Sequence, residues 1–249
     1  MNIQYLYTPQ QIHGSVVIPE WGKKAFAKFE REVLIENYPC QAAVDAFKDE
    51  MLYFTFVDSI YKYYSLKQFA EGIKHYVEKI APQNKKTALI ALFRERGPVQ
   101  AIKEYERQFW DTVQYLHVVD EGGWPQHIAK TPNHPNWQFC FAGQPFSLIC
   151  QTPAHEKRKS RYSPNFTIVF QPREILEEEN EELRDFVTEV KKEVVAYDQI
   201  SPHPALGWNT SQQQKEWRKY FLRDTNDTPV GQCPFRAKTE KFQSTRKGR

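Results

Sequence analysis

Apolar residues recur along this chain in two different periods, and the switches between them divide it into elements. Phe26, Phe29 and Val33 lie three and four residues apart, which predicts a helix from about Lys23 to Ile35, ended by Pro39. A short helical or turn segment follows Cys40. The run MLYFTFVD at 51–58 is short, apolar and aromatic, as a buried strand is. Leu66, Phe69, Ile73, Val77 and Ile80 then return to the helical period, and Ser65 with Gln68 fits a capping box at its start. TALIALF at 87–93 reads as a second buried strand. Strand, helix and strand in that order predict a right-handed parallel crossover.

The second half follows a different pattern. Gly97-Pro98 opens a long helix to about Val119 with Val99, Ile102, Phe109, Val113 and Leu116 inward, and EGGWP at 121–125 breaks it. Trp137, Phe139 and Phe141 alternate with smaller residues, as do Phe146, Leu148 and Cys150 beyond Gly143-Gln144, which predicts a β-hairpin with a tight connection. FTIVFQ at 166–171 is a further strand. The acidic run EEENEE at 177–182 suits a helix N-terminus, where carboxylates oppose the positive end of the dipole, and Leu183, Phe186, Val187, Val190 and Val194 supply its buried stripe. An irregular stretch, SPHPALGWN, and a short helix near 211–221 come next. The expected organisation is an irregular leader at 1–22, one α+β domain at 23–236 with a mixed sheet packed by several helices, and a disordered basic tail at 237–249.

Composition narrows the function. A net charge of +3 over 249 residues is too small to point to nucleic acid as a partner. Neither a signal-peptide pattern nor an apolar run of about 20 residues is present, so no membrane association is expected. The four cysteines, Cys40, Cys140, Cys150 and Cys233, form no CxxC pair and are too scattered for a disulfide framework. A soluble cytoplasmic protein is the expectation. Aromatic residues make up 14% of the chain and are spread along it, which argues for a core or pocket with large flat walls.

One stretch departs from the general charge balance. TPAHEKRKSRYSP at 152–164 carries Lys157, Arg158, Lys159 and Arg161 within five residues, between two strands. Converging arginine forks bind carboxylates or phosphates; a charge run is more often simply solvated. Among the histidines, His117 sits at the edge of a buried helical stripe, where it can ligate a cofactor iron or be satisfied by a backbone carbonyl. His155 lies in the basic run, and His203 is held between two prolines, where a ligand role is the weaker reading. Cys40 precedes a helix start that favours thiolate, although ordinary packing accounts for it as well. No GxGxxG, Walker loop, HExxH or GxSxG motif occurs.

The run HPNWQFCFAGQPFSLICQTPAHEKRKSRYSPNFTIVFQPRE, with YPC at 38–40, LHVVDEGGWP at 116–125 and CPF at 233–235, resembles the YqcI/YcgG family from about residue 25 to 236. The resemblance implies a heme-dependent oxygenase that N-hydroxylates a guanidino or amino group of an arginine-like small molecule, using dioxygen and an electron donor. It implies heme b with an axial ligand left open between His117, His155 and Cys40. Aromatic walls would come from Trp124, Phe139 and Phe141, and Lys157, Arg158 and Arg161 would face the propionates. Asp120 and Asp198 would hold a cationic substrate. Some branches of the family carry a histidine directly before the proline of the basic loop; here Thr152 stands there and His155 follows Pro153 by two residues. Two alternatives accompany this reading: a heme-binding or heme-sensing protein without turnover, and a non-heme anion-binding module.

Overall fold

A computed structural model describes residues 4–84, 86–173, 181–206, 215–227 and 231–238. Within them the chain forms α1 (Pro9–Gly14), α2 (Glu20–Val33), α3 (Gln41–Lys48), β1 (Leu52–Val57), α4 (Tyr63–His75), β2 (Ala88–Phe93), α5 (Ile102–Val119), β3 (Phe139–Phe141), β4 (Gln144–Gln151), β5 (Thr167–Pro172), α6 (Glu181–Asp198) and α7 (Trp217–Tyr220). The strands build one mixed sheet in the order β1-β2-β5-β4-β3, with β1 and β2 parallel and the other neighbours antiparallel. The fold is α+β. Helix α4 carries the chain from β1 to its parallel neighbour β2, as the strand–helix–strand pattern predicts.

The unbroken apolar run of β2 follows from its place in the sheet. Ala88, Ile90 and Leu92 face Phe26, Phe29 and Val33 of α2, while Leu89, Ala91 and Phe93 face Phe69 and Ile73 of α4 and Phe109 and Val113 of α5. A strand covered on both faces has no solvent side on which to place polar residues. Phe146, Leu148 and Cys150 of β4 and Ile168 and Phe170 of β5 extend the α4–α5 core, which α7 and Phe235 complete.

Several local expectations are corrected. Ser65 and Gln68 form no capping box: α4 begins two residues earlier, and buried Ser65 accepts the Ser59 N–H through Oγ at 3.0 Å. A true capping box joins Thr8 and Gln11 at the start of α1, inside the stretch expected to be irregular, and Tyr7 pairs with Phe54 of β1. Helix α5 starts at Ile102, so Val99 lies outside it and is exposed. Val77 and Ile80 leave the α-helical register in a π-helical turn, Tyr76–Ile80. The short helix near the C-terminus is Trp217–Tyr220. Residues 177–180, 211–214 and 239–249 lie outside the described residues, as do the side chains of Leu183, Phe186 and Val187. Among the described residues no helix is long and apolar enough to cross a membrane.

The hairpin turn sits one residue earlier than Gly143-Gln144. Ala142 and Gly143 form it with φ of 50° and 78°, and Phe141 pairs directly with Gln144. Two left-handed residues match the twist of the flanking strands. An L-residue there costs about 1–2 kcal/mol, which glycine avoids. Ala142→Gly is therefore expected to raise stability by about 0.5–1 kcal/mol, read as a higher urea midpoint with unchanged slope.

Candidate functional site

The basic stretch folds around a carboxylate from far along the chain. Asp224 Oδ2 accepts the backbone N–H groups of Glu156 and Lys157 at 2.9 and 3.2 Å, and Oδ1 accepts that of Arg158 at 2.9 Å. Successive amides converging on one anion form a nest. Burial alone would raise the Asp224 pKa, but the three donors outweigh it and hold it below the usual carboxylate value. The Lys157 side chain is exposed.

Arg158, 2% exposed, spends its donors inward. Nε donates to the Arg223 carbonyl at 3.0 Å, Nη2 to Asn226 Oδ1 at 2.8 Å, and Nη1 lies 4.0 Å from Asp198 Oδ2. Asp198, the last residue of α6, accepts the Ser160 N–H at 2.6 Å and the Ser160 hydroxyl at 2.8 Å. His155 is equally committed: Nε2–H donates to the Leu222 carbonyl at 2.7 Å and Nδ1 accepts the Thr152 hydroxyl at 2.9 Å. Both ring nitrogens are used, so no lone pair is left for a metal.

Three groups at the edge of this cluster are less committed. Arg161 is half-buried; among the described residues no hydrogen bond or close ion pair engages its guanidinium, which lies in the field of Asp198, Cys150, Arg158 and Tyr38. Cys40 caps the N-terminus of α3. Burial raises its pKa, as does Glu193, while the Ala43 and Ala42 amides and Arg161 pull it down. His203, 1% exposed, accepts the Ala205 N–H at Nδ1, 3.1 Å away, whereas its Nε2 has no partner among the described residues. Burial, and then Arg158, Arg161 and Arg223, push its pKa down to about 4. The ring is neutral at pH 7, and with its lone pair at Nδ1 the proton sits on Nε2. A buried donor left unpaired costs about 1–3 kcal/mol. Beside the cluster runs a narrow crevice lined by Phe29, Glu32, Tyr38, Gln151 and Tyr162.

The remaining predicted residues meet elsewhere. His117, Trp124, Trp137 and Phe139 surround the ring of Phe235, with His117 4.8 Å and Trp137 5.4 Å from its centroid. Phe141 is buried in the same core. His117 Nε2 accepts the backbone N–H of Lys238 at 2.9 Å. Asp120 is a turn-former: both its carboxylate oxygens accept the Ala142 N–H at 3.1 Å, and Oδ1 accepts that of Gly122 at 2.8 Å. The C-terminal segment closes this box through paired Gln114–Arg236 hydrogen bonds of 2.8 and 3.1 Å.

The two groups flank β4: Phe139 pairs with Phe146 near its start, the basic loop follows its last residue, Gln151, and Tyr220 and Phe221 lie between them, against Phe139 and His155 respectively. Cys40, His155, Arg158, Arg161 and Asp198 are brought together; His117, Asp120, Trp124, Phe139 and Phe141 form a separate, filled box. Asp224 and Arg223 are participants that the sequence reading does not single out. The proline-flanked His203 was the one cue available there. Among the described residues no group of three or more metal-ligating side chains is gathered.

Comparison with known proteins matches residues 29–236 to the YqcI/YcgG family. The chain is 31% identical over 237 residues to the uncharacterized protein YqcI of Bacillus subtilis (strain 168), covering 92% of this chain and 93% of that protein. It is 33% identical over 227 residues to the uncharacterized protein YcgG of the same organism, covering 88% and 89%. To the "Putative N(omega)-hydroxy-L-arginine synthase DcsA" of Streptomyces lavendulae it is 25% identical over 224 residues, covering 86% and 84%. No solved structure matches.

Proposed function

The chain belongs to the YqcI/YcgG family, and on that premise we propose that it N-hydroxylates a guanidino or amino group of an arginine-like small molecule, with heme b as cofactor. The net reaction places one atom of dioxygen in an N–H bond and reduces the other to water, with two electrons and two protons from an external donor. Heme, when bound, supplies the activation of dioxygen.

The reading is supported by the match to a relative named as a putative N(omega)-hydroxy-L-arginine synthase and, within the chain, by Cys40 lying in the field of Arg161. Of the three candidate ligands, both His155 nitrogens are bonded and His117 Nε2 is capped by Lys238 inside a filled box. Cys40 remains: a sulfur at a helix N-terminus whose pKa burial and Glu193 raise against the opposing pull of the Ala43 and Ala42 amides and Arg161. Binding of a metal deprotonates such a thiol even where burial has raised its pKa. Arg161 would be the cation for a propionate; the crevice lined by Phe29, Tyr38 and Tyr162 is closed to a water-sized molecule and does not itself hold a porphyrin.

The chain's own acids divide their roles. Asp120 and Asp198 are spent on backbone and Ser160 donors. Glu32 lines the crevice, and burial raises its pKa, which suits its carboxyl to moving a proton rather than to holding a cation.

Addition of hemin to the purified protein is expected to give a Soret band, and arginine-like substrates with a reductant a product heavier by one oxygen atom. Cys40→Ser should weaken heme at least about 10–100-fold, the range that even outer-shell changes reach. No heme uptake sinks the reading; uptake without product leaves a heme-binding protein. If His117→Ala abolishes the band while Cys40→Ser keeps it, the ligand lies in the aromatic box.

A further inference from the structure

A cavity of about 190 Å³ opens where the parallel strands β1 and β2 end, and it shares no lining residue with the crevice beside Cys40. Ligands of open sheets gather at such carboxyl ends, where the chain leaves the sheet and its loops diverge. The volume has room for about six waters, or for one small metabolite. Its floor is aromatic. Phe93, Tyr105 and Phe166 are at most 2% exposed, with ring centroids 4.5 Å apart for Phe93 and Phe166 and 5.8 Å for Tyr105 and Phe166.

The rim is charged, and its charges are unevenly matched. Arg94 and Arg96 both donate to one oxygen of Asp58, at 2.9 and 2.6 Å, and Lys62 donates to the other at 3.0 Å. Three cations thus share one carboxylate. Holding the same oxygen brings the two guanidiniums side by side, and the Trp21 ring, 5.9 Å from the Arg94 Cζ, backs one of them. Among the described residues that oxygen is the only hydrogen-bond acceptor of either guanidinium, so most of their N–H donors stay free. Glu95, between them in sequence, turns the other way and accepts the Phe166 N–H at 2.6 Å and the Tyr105 hydroxyl at 3.2 Å. Both donors are neutral, and among the described residues no cation pairs with Glu95, whereas Glu104 and Arg107 on the same rim pair with each other. Two converging guanidinium forks suit a carboxylate, and the acids beside them disfavour a second negative charge.

We propose that this cavity binds a cationic amino acid, with its carboxylate on Arg94 and Arg96 and a cationic nitrogen on Glu95. The aromatic floor packs against the aliphatic part of the ligand. The inference concerns binding alone and stands without the heme reading.

The test is titration calorimetry of the purified full chain, without porphyrin or reductant, using three probes. L-Arginine carries both charged ends, L-argininamide lacks the carboxylate, and L-glutamate replaces the cationic end by a second carboxylate. Wild-type protein is expected to bind L-arginine about tenfold or more tightly than either of the others. Arg94→Gln and Arg96→Gln should each weaken L-arginine several-fold while leaving L-argininamide unchanged. Glu95→Gln should close the gap between L-arginine and L-glutamate. The Arg96 side chain is 52% exposed, so Arg96→Gln decides the matter if another variant does not fold. Absence of L-arginine binding, equal binding of all three probes, or a preference that survives in the folded variants overturns the proposal. Because no heme is present in the titration, failure of heme uptake leaves this inference standing, and failure of these titrations leaves the cofactor reading untouched.

Discussion

Arg158→Ala is expected to cost about 3–5 kcal/mol of stability, the range for removing one partner of a buried charge pair. The change strands Asp198, 4% exposed, and leaves the Asn226 oxygen and the Arg223 carbonyl without their donor. With total stabilities of about 5–15 kcal/mol for a domain, that is a large share. The measurement is the urea midpoint, which should fall with an unchanged slope. Adding Asp198→Asn removes the stranded charge and should recover part of the loss, so the two changes are expected to be non-additive. A midpoint within error of wild type would mean that the loop is held by the Asp224 nest alone.

Acid should weaken the fold well above the pH at which carboxylates titrate. Burial first, with Lys238 beside His117 and three arginines beside His203, holds both imidazoles at about 4, below the ordinary value of 6.5. A histidine whose folded pKa is depressed binds fewer protons folded than unfolded. Stability is therefore full above pH 6.5 and falls as pH drops toward 4, by up to about 3 kcal/mol for each ring. Asp58, held at about 2 mainly by Arg94, Lys62 and Arg96 against the effect of burial, works in a different window: its contribution is kept above about 3.8 and lost only below it. Urea midpoints at pH 7, 5.5 and 4.5 should decline steadily, and His117→Phe should flatten the decline. Constant midpoints down to pH 5 would overturn the assignment of buried neutral rings.

The periodic parts of the fold are legible in the sequence because burial writes itself into spacing. β2 is apolar without interruption since helices cover both its faces, and α4 repeats its core residues at three and four. Boundaries are less legible. Ser65 and Gln68 satisfy a capping pattern, yet nothing local says that the helix has already begun at Tyr63 and that Ser65 will accept a bond from Ser59. The candidate cluster is legible only in half. A crowd of cations marks 157–161, but the carboxylates that absorb it, Asp198 and Asp224, arrive from elsewhere, and no spacing rule links them. His117 looks like a ligand from its helical face because Phe235 and Lys238, which close over it, are more than a hundred residues away.

The Asp224 nest also sets an order of events during synthesis. The amides of residues 156–158 and the carboxylate that gathers them are separated by more than sixty residues, so a nascent chain exposes the cationic stretch long before its counter-ion leaves the ribosome. The β1–α4–β2 unit forms its parallel pairing early, although β2 still waits for β5; the final shape of the basic loop must wait for Asp224. Contacts so distant in sequence form late and slow folding. In that interval the exposed arginines and lysines are what a polyanion or a chaperone would meet first.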